Sequence, residues 1–244
     1  MNPNPLEFRS GVVSPVECLK EGWQLIKDQY WLFLGLTLVA MLVGGAVPVV
    51  LIGPMTCGLY MCLFKKMRGE PVEFGMLFKG FDYFVQGLVA AAIQTLPVIL
   101  IMGVGQVIFV AFTMIIMPRQ GDEAMPAVFF VGLAIFILFA MIVSMVIHSL
   151  FLFAYPLIVD RNLSGLDAIK LSYRAALKNL SGIVGLILLL AGLGLLGVLA
   201  CYVGAFFMMP ISFAAYAVAY RKVFPETGAF NVASPPPPPG SWAA

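Results

Sequence analysis

Six long apolar runs constrain this chain more than any other feature of its sequence. They fall at about 31–49, 50–66, 84–117, 126–158, 183–201 and 203–220. Of the 244 residues, 61% are hydrophobic and 11% carry a charge, whereas soluble domains are about 45–50% apolar and about 25% charged. A soluble globule is therefore excluded. The sequence predicts an all-α, polytopic membrane protein with six transmembrane helices.

One segment of the sequence occurs twice, and each copy precedes a pair of the apolar runs. Residues 14–35 read SPVECLKEGWQLIKDQYWLFLG, and residues 164–185 read SGLDAIKLSYRAALKNLSGIVG, at an offset of 150. The copies open two repeat units, 14–68 and 164–224, which flank a long central hairpin at 71–159. Because each unit crosses the membrane twice, both copies begin on the same side. The sequence therefore predicts a parallel internal repeat.

Each copy also has the periodicity of an amphipathic helix. The apolar stripe of the first copy consists of Val16, Leu19, Trp23, Ile26 and Tyr30, and the second copy repeats this spacing. A third such stretch lies at 71–84. We expect these helices to lie in the membrane interface on the cytoplasmic side. Ser14 with Glu17 predicts a capping box, and Ser164 with Asp167 predicts a weaker one.

The basic residues divide unevenly between the two sides of the six predicted crossings. With both termini in the cytoplasm, every Lys and Arg except Arg119 lies on the inner side, as the positive-inside rule requires. Several of these residues are candidates for contacts with anionic lipid headgroups. They are Lys20, Lys27, Lys65, Lys66, Lys170, Arg174, Lys178, Arg221 and Lys222. Charge pairing within loops at the lipid surface is the alternative interpretation.

The predicted crossings differ in length. Residues 31–64 contain two crossings and a turn, so each helix has about 16 residues and spans ~24 Å. This is shorter than a hydrocarbon core of ~30 Å, whereas the two central runs would each extend ~50 Å. Short hairpins beside a long central pair predict either local thinning of the bilayer or a groove along that pair.

All twelve carboxylates of the chain lie outside the predicted crossings. Ion-coupled carriers keep ionisable residues at membrane depth, because those residues carry the ion. The pattern therefore disfavours a coupled transporter. It also offers no paired carboxylates, no nucleophile–base pair and no metal-ligand motif. We expect no catalytic residues, no cofactor and no metal.

Polar residues do occur within the two central crossings. Gln94 and Gln106 belong to the first, and Ser144 and His148 belong to the second. Ser144 and His148 are four residues apart and therefore share a helix face. These four residues are candidates for lining a polar groove, and interhelical hydrogen bonding is the alternative.

Two further segments have a biased composition. The fifth crossing is rich in glycine, which suits close helix packing within the chain, a homo-oligomer or another protein partner. Its glycines are Gly182, Gly185, Gly192, Gly194 and Gly197. The sequence predicts a polar N-terminal segment at 1–13, a single membrane domain at 14–224 and a disordered Pro-rich tail at 225–244. The tail contains five consecutive prolines and is interpreted as a spacer, with a docking peptide as the alternative.

A distinctive set of residues lies between 155 and 182. It consists of Tyr155-Pro156-Leu157-Ile158-Val159-Asp160, Leu163-Ser164, Asp167-Ala168-Ile169, Ser172 and Lys178-Asn179. The set resembles a group of bacterial six-helix membrane proteins that includes YciC-like proteins. It is also similar to the membrane domain of some glycerophosphodiester phosphodiesterases. The resemblance covers roughly 15–224 and implies a bacterial cytoplasmic (inner) membrane and no catalytic residues. The soluble phosphodiesterase domain is missing, so that activity is not expected.

The sequence leaves two functions open. The first is a non-enzymatic accessory or scaffold subunit of a membrane complex, with membrane lipids and a protein as partners and no nucleic acid. The alternative is a permease for a lipid or an apolar solute that uses a groove beside the third and fourth helices. Gln94, Gln106, Ser144 and His148 would line that groove.

Overall fold

A computed structural model describes residues 7–116, 125–199 and 203–225 of the chain. These ranges form helices and contain no β-strand, so the predicted all-α class is confirmed for them. The helices are α1 (Pro15–Ile26), α2 (Tyr30–Ala46), α3 (Ile52–Met67), α4 (Phe84–Ile116), α5 (Met125–Phe151), α6 (Ala154–Arg161), α7 (Gly165–Lys178), α8 (Leu180–Leu199) and α9 (Val203–Val223). Two 3₁₀ segments lie at Lys27–Gln29 and Phe74–Tyr83. Arg119 and the predicted Pro-rich tail beyond Pro225 lie outside the described residues.

Within the described ranges, five helical stretches are long and apolar enough to cross a membrane. They are Pro15–Ala46, Phe74–Ile115, Phe129–Arg161, Leu180–Leu199 and Val203–Val223. The remaining predicted crossing corresponds to α3, which has 16 residues. A helix of this length spans ~24 Å, less than a hydrocarbon core of ~30 Å. The structure therefore shows several helices that are apolar and long enough to cross a membrane. That the chain crosses six times stays a prediction.

α3 lies at the centre of the helical core. It packs against α2, α4, α6, α9 and the 3₁₀ segment Phe74–Tyr83. Most of its residues are buried, including Tyr60 and Phe64. Glycine permits the closest of these contacts, because a Cβ on Gly58 would overlap the backbone of Leu77. The short predicted crossing is thus a helix enclosed by other helices on most sides.

The fourth predicted crossing corresponds to two helices, α5 and α6, separated by a turn at Leu152 and Phe153. Pro156 explains the break, because it has no N–H to donate to the Leu152 carbonyl and its ring crowds that carbonyl. Ser172 of α7 satisfies the groups that the turn exposes. Its hydroxyl donates to the Leu150 carbonyl oxygen at 3.0 Å and accepts from the Phe153 N–H at 3.1 Å.

The three predicted amphipathic segments each lie across a pair of neighbouring helices. α1 contacts α8 through Pro15 and α9 through Gly22. The segment 74–83 contacts α2 through Phe74 and α3 through Gly80. α7 contacts both α4 and α5. Each of the three segments begins after an irregular stretch and leads directly into a long helix, α1 through a 3₁₀ turn into α2, the segment 74–83 into α4, and α7 through Asn179 into α8.

Of the two predicted helix caps, the structure confirms one and contradicts the other. Ser164 caps α7 by accepting from the Asp167 backbone N–H at 3.2 Å. Ser14 makes no side-chain hydrogen bond to α1, so the prediction of a stronger capping box there is wrong. Glu17, which would form the other half of the box, pairs instead with Lys222 of α9 at 3.3 Å.

Residues 9–13 of the predicted N-terminal segment are fixed to the helical core by Asn179, which lies at the joint between α7 and α8. Its side-chain oxygen accepts from the Val12 N–H at 3.2 Å, and its amide donates to the Arg9 carbonyl at 2.9 Å. The Arg9 N–H in turn donates to the Val223 carbonyl at 2.9 Å. The start of the described chain therefore connects α7, α8 and α9.

Candidate functional site

A cavity of about 370 Å³ lies between α3, α4, α5 and α9. Three of the four residues predicted to line a polar groove, namely Gln94, Ser144 and His148, form part of its wall. The fourth, Gln106, does not, because it lies exposed on α4 about three turns beyond Gln94. The rest of the wall consists of Ile52, Thr56, Tyr60, Thr95, Val98, Ile147, Phe151, Leu152, Tyr155, Phe213 and Tyr216. We call this space the polar cavity.

Aromatic side chains order one side of the polar cavity. The His148 and Tyr216 rings meet edge to face with their centroids 5.6 Å apart. Tyr60 meets Phe213 in the same way at 6.1 Å. Such contacts hold rings in fixed orientations. The cavity therefore has a wall of positioned rings and is not merely a gap between mobile side chains.

The sequence interpretation missed five polar residues of this wall, namely Thr56, Tyr60, Thr95, Tyr155 and Tyr216. A signal for two of them was present. Tyr60 and Tyr216 occupy corresponding positions near the ends of the two repeat units. Both tyrosines reach the cavity because α3 and α9 lie on either side of it.

The wall of the polar cavity combines apolar rings and aliphatic side chains with hydroxyl, amide and imidazole groups, and no residue of this wall is Asp, Glu, Lys or Arg. Walls of this kind bury an apolar body and orient it through a few hydrogen bonds. Within the described residues, no hydrogen bond connects Ser144 or His148 to a carboxylate that would orient an imidazole for catalysis. The arrangement is suited to binding a neutral molecule.

A second, larger space lies along the outer halves of α4 and α5. This apolar groove has a volume of about 700 Å³. Its wall consists of Leu100, Ile101, Val104, Gly105, Ile108, Phe109, Phe112, Gly132, Ile135, Phe136 and Phe139. An aromatic ring packs closely against a glycine here, since a Cβ on Gly105 would lie 2.9 Å from the Phe136 ring. The groove predicted beside the central pair is thus wholly apolar.

Four of the basic residues predicted to contact lipid are engaged within the protein. Lys66 pairs with Asp28, and Lys65 pairs with Glu70 at 3.4 Å. Glu70 also accepts from Arg68 at 2.6 Å, which lowers the pKa of this carboxyl. The other two paired residues, Arg221 and Lys222, contact acidic residues at 2.8 Å. For these four residues, the structure favours the alternative interpretation, in which the basic side chain pairs with a carboxylate of the protein.

Arg221 belongs to a cluster that joins α3, α6 and α9. Its guanidinium contacts Asp160 at 2.8 Å and lies over the Phe64 ring at 4.4 Å. Asp160 also accepts from the Tyr220 hydroxyl at 2.7 Å. The two charged side chains are 14% and 16% exposed. The cluster therefore holds three helices together and leaves Arg221 little surface for lipid.

The remaining five candidates are exposed, and no ion pair involves them in the described part of the chain. They are Lys20, Lys27, Lys170, Arg174 and Lys178. Two lie on or just after α1, and three lie on α7. The basic residues that remain available for contact with lipid headgroups therefore belong to two segments, α1 with Lys27 just after it, and α7.

The glycines of α8 divide into two groups. Gly182 and Gly185 receive Val13 and Pro15, and Gly197 packs against Gly204 of α9. Gly192 and Gly194 face open space. Most of the predicted small-residue face is therefore used inside the chain.

In the described ranges, no group of three or more His, Cys, Asp or Glu side chains could hold a metal ion. Cys18, Cys57 and Cys62 are buried and unbonded. Compared with known proteins, the chain matches no family model, no curated protein and no solved structure. The helices and their apolar surface therefore define the class, an integral membrane protein with a neutral internal cavity.

Proposed function

We propose that this protein is a non-enzymatic membrane protein that takes up a neutral amphiphile from the bilayer into the polar cavity. This is the permease alternative, narrowed to a class of ligand. The cavity is the observation that supports it, because a purely structural packing of α3, α4, α5 and α9 would fill this space with side chains.

The size and chemistry of the polar cavity select the ligand class. Its volume of about 370 Å³ lies within the range of about 300–1,000 Å³ that is typical of small-molecule sites. A charged ligand would lose its hydration without gaining an ionic partner in the wall. A lipid with hydroxyl or carbonyl oxygens can instead hydrogen-bond to Gln94, His148 and the tyrosines while its apolar part meets the rings.

A ligand can reach the cavity from the side. Ile52 is 45% exposed, and Ser144 is exposed on α5. The outer surface of α5 next to Ser144 is apolar, with exposed side chains such as Met141 and Val146. This surface suits lipid contact. Entry from the bilayer through the Ile52–Ser144 side therefore requires no aqueous channel.

The arrangement of the amphipathic segments supports a finer architectural proposal. α1 lies across α8–α9, the segment 74–83 lies across α2–α3, and α7 lies across α4–α5. Corresponding positions have similar environments, since Trp23 and Tyr173 are 43% and 45% exposed while Cys18 and Ala168 are fully buried. We propose a closed ring of three units with six crossings. A bacterial inner membrane, cytoplasmic termini and YciC-like kinship belong to the same proposal.

The accessory or scaffold role stays a prediction. Gly192 and Gly194 are the glycines of α8 that remain open to a neighbour, and a stripe of two small residues does not specify a partner. The polar cavity favours ligand binding over this role.

Native mass spectrometry of the protein, extracted in a neutral detergent from the membranes in which it is made, tests the proposed function. We expect one neutral lipid to remain bound. Gln94→Leu and His148→Phe should each reduce occupancy about tenfold, because a hydrogen bond lost in an apolar site costs about 1–3 kcal/mol. Gln106→Leu is the matched control on the same helix and should retain the lipid.

A further variant tests whether the ligand needs the volume of the cavity, separately from the polar groups of its wall. Ser144→Phe places a ring at the exposed rim of the cavity and should exclude the ligand while leaving the fold intact. The proposal is wrong if the unmodified protein carries no lipid, or if Gln94→Leu and Gln106→Leu retain it equally.

A further inference from the structure

The outer face of α7 carries an apolar stripe and a cationic stripe side by side. The apolar stripe consists of Leu166, Tyr173 and Leu177 and continues to Leu180 at the start of α8, and each of these residues is more than two-fifths exposed. The cationic stripe consists of Lys170, Arg174 and Lys178, which are exposed and four residues apart. This spacing places the three cations along one ridge of the helix. The inner face is formed mainly by small residues that pack on the core.

α7 lies across α4 and α5 instead of along either helix. Gly165 contacts α4, where an added Cβ would be 2.6 Å from the Gln86 carbonyl oxygen. Ser172, two turns later, bonds to the turn between α5 and α6. α4 and α5 are antiparallel, and Gln94 and His148 face the same cavity. α7 therefore extends from one helix of the central pair to the other, as expected of an amphipathic helix at a membrane interface.

The corresponding helix α1 shows that the charge of α7 is not a general property of the repeat. Where α7 has Arg174 and Lys178, the corresponding positions in the first copy are Gln24 and Asp28. The acidic residues of that copy also pair with Lys66 and Lys222.

α7 has a single acidic residue, Asp167, and it serves the helix cap. Its carboxylate accepts from the Ser164 hydroxyl at 2.7 Å. Lys170, Arg174 and Lys178 form no ion pair in the part of the chain that the structure describes. The first copy therefore has three acidic and two basic residues, whereas α7 has one acidic residue and three basic ones.

We infer that the outer face of α7 binds the phosphate groups of anionic lipids through Lys170, Arg174 and Lys178. Arginine contacts phosphate oxygens through two parallel N–H groups, and lysine adds point charges beside it. The adjacent apolar stripe indicates that the bound phosphate belongs to a lipid. An anionic lipid covers both stripes, because its acyl chains meet the leucines and its headgroup meets the cations, whereas an acidic protein segment would cover only the second.

The test uses the full chain purified in a neutral detergent. Phosphatidylglycerol or phosphatidylcholine is titrated, and bound lipid is counted by native mass spectrometry. Arg174→Gln with Lys178→Gln should reduce the apparent affinity for phosphatidylglycerol about 30-fold, at roughly fivefold for each cation near an anionic headgroup. Phosphatidylcholine binding should not change. Lys178→Gln alone should give about a fivefold reduction.

The matched control removes two exposed cations from the other copy. Lys20→Gln with Lys27→Gln should change phosphatidylglycerol affinity less than about threefold, because Glu17, Glu21 and Asp28 lie in the same segment and lower its local positive potential. The inference is overturned if the two double variants lose phosphatidylglycerol equally, or if the α7 variant retains it. It is also overturned if soluble glycerol phosphate competes at the same concentration as the lipid, because the apolar stripe would then have no role.

Discussion

The close crossing of α1 and α9 provides a sharp test of the packing. Gly22 has no side chain, and a Cβ at this position would lie 2.7 Å from the Ala215 backbone nitrogen and 2.9 Å from its Cα. Ordinary contacts of a Cβ begin at about 3.4 Å, so Gly22→Ala requires the two backbones to separate by about 0.7 Å. Neither backbone is the end of a flexible side chain. Overpacking of this kind costs about 1–3 kcal/mol.

The higher helix propensity of alanine opposes this packing cost and has to be subtracted from it. Alanine is a better helix former than glycine by about 0.5–1 kcal/mol, so from the middle of both ranges Gly22→Ala should destabilise the protein by about 1 kcal/mol in total. For a chain of this size, that lowers the Tm by about 2–4 °C. The measurement is thermal unfolding in a neutral detergent, followed by far-UV circular dichroism.

Gly192→Ala is the control with the opposite sign. Gly192 also lies in a helix, and nothing lies within 4 Å of an added Cβ. Gly192→Ala therefore has no packing cost, and the higher helix propensity of alanine should raise the Tm. If Gly22→Ala raises the Tm as Gly192→Ala does, α1 does not contact α9 as closely as described, and the placement of α1 across α8–α9 is wrong.

Two further substitutions test the joints between helices, by the same thermal measurement. Ser172→Ala leaves a backbone N–H and a carbonyl unpaired at the turn between α5 and α6, and should destabilise the protein by about 1–3 kcal/mol; a Tm equal to that of the exposed control Ser181→Ala would contradict the hydroxyl's role. Asp160→Asn removes the charged partner of Arg221 in a largely buried site and should cost about 3 kcal/mol. Glu70→Gln breaks an exposed pair and should leave the Tm unchanged, so equal effects of the two would refute the cluster.

Helix positions were predictable where local sequence decides them. The run at 84–117 became α4, which has 33 residues and is not interrupted by Pro97. Ser144 and His148 were placed on one face by their spacing alone, and that face is the one that lines the cavity. In these cases the information lies within one helix, and a period of 3.6 residues is enough to read it.

Features that depend on distant residues were not predictable. Glu17 of the predicted capping box pairs with Lys222, a residue more than two hundred positions away. The hydroxyl that satisfies the turn after α5 comes from Ser172 on a different helix. Gln106 was included with Gln94 because both are polar residues in one run, and the cavity that the packing of four helices creates does not extend about three turns along α4 to reach Gln106. Only tertiary packing fixes such pairings.

The unequal helix lengths, which the sequence does show, account for the position of the cavity. α3 contacts α4 near its start, where Gly53 meets Gly87, and α4 then continues for roughly eight further turns. Ile52, Thr56 and Tyr60 form one face of α3 that closes the polar cavity on one side. Beyond this point the short α2–α3 hairpin offers no further side chains to the long pair. The polar cavity therefore lies where α3 reaches the long pair, and the apolar groove lies farther along that pair. A bound lipid can place its polar end in the cavity and extend its apolar end toward the bilayer.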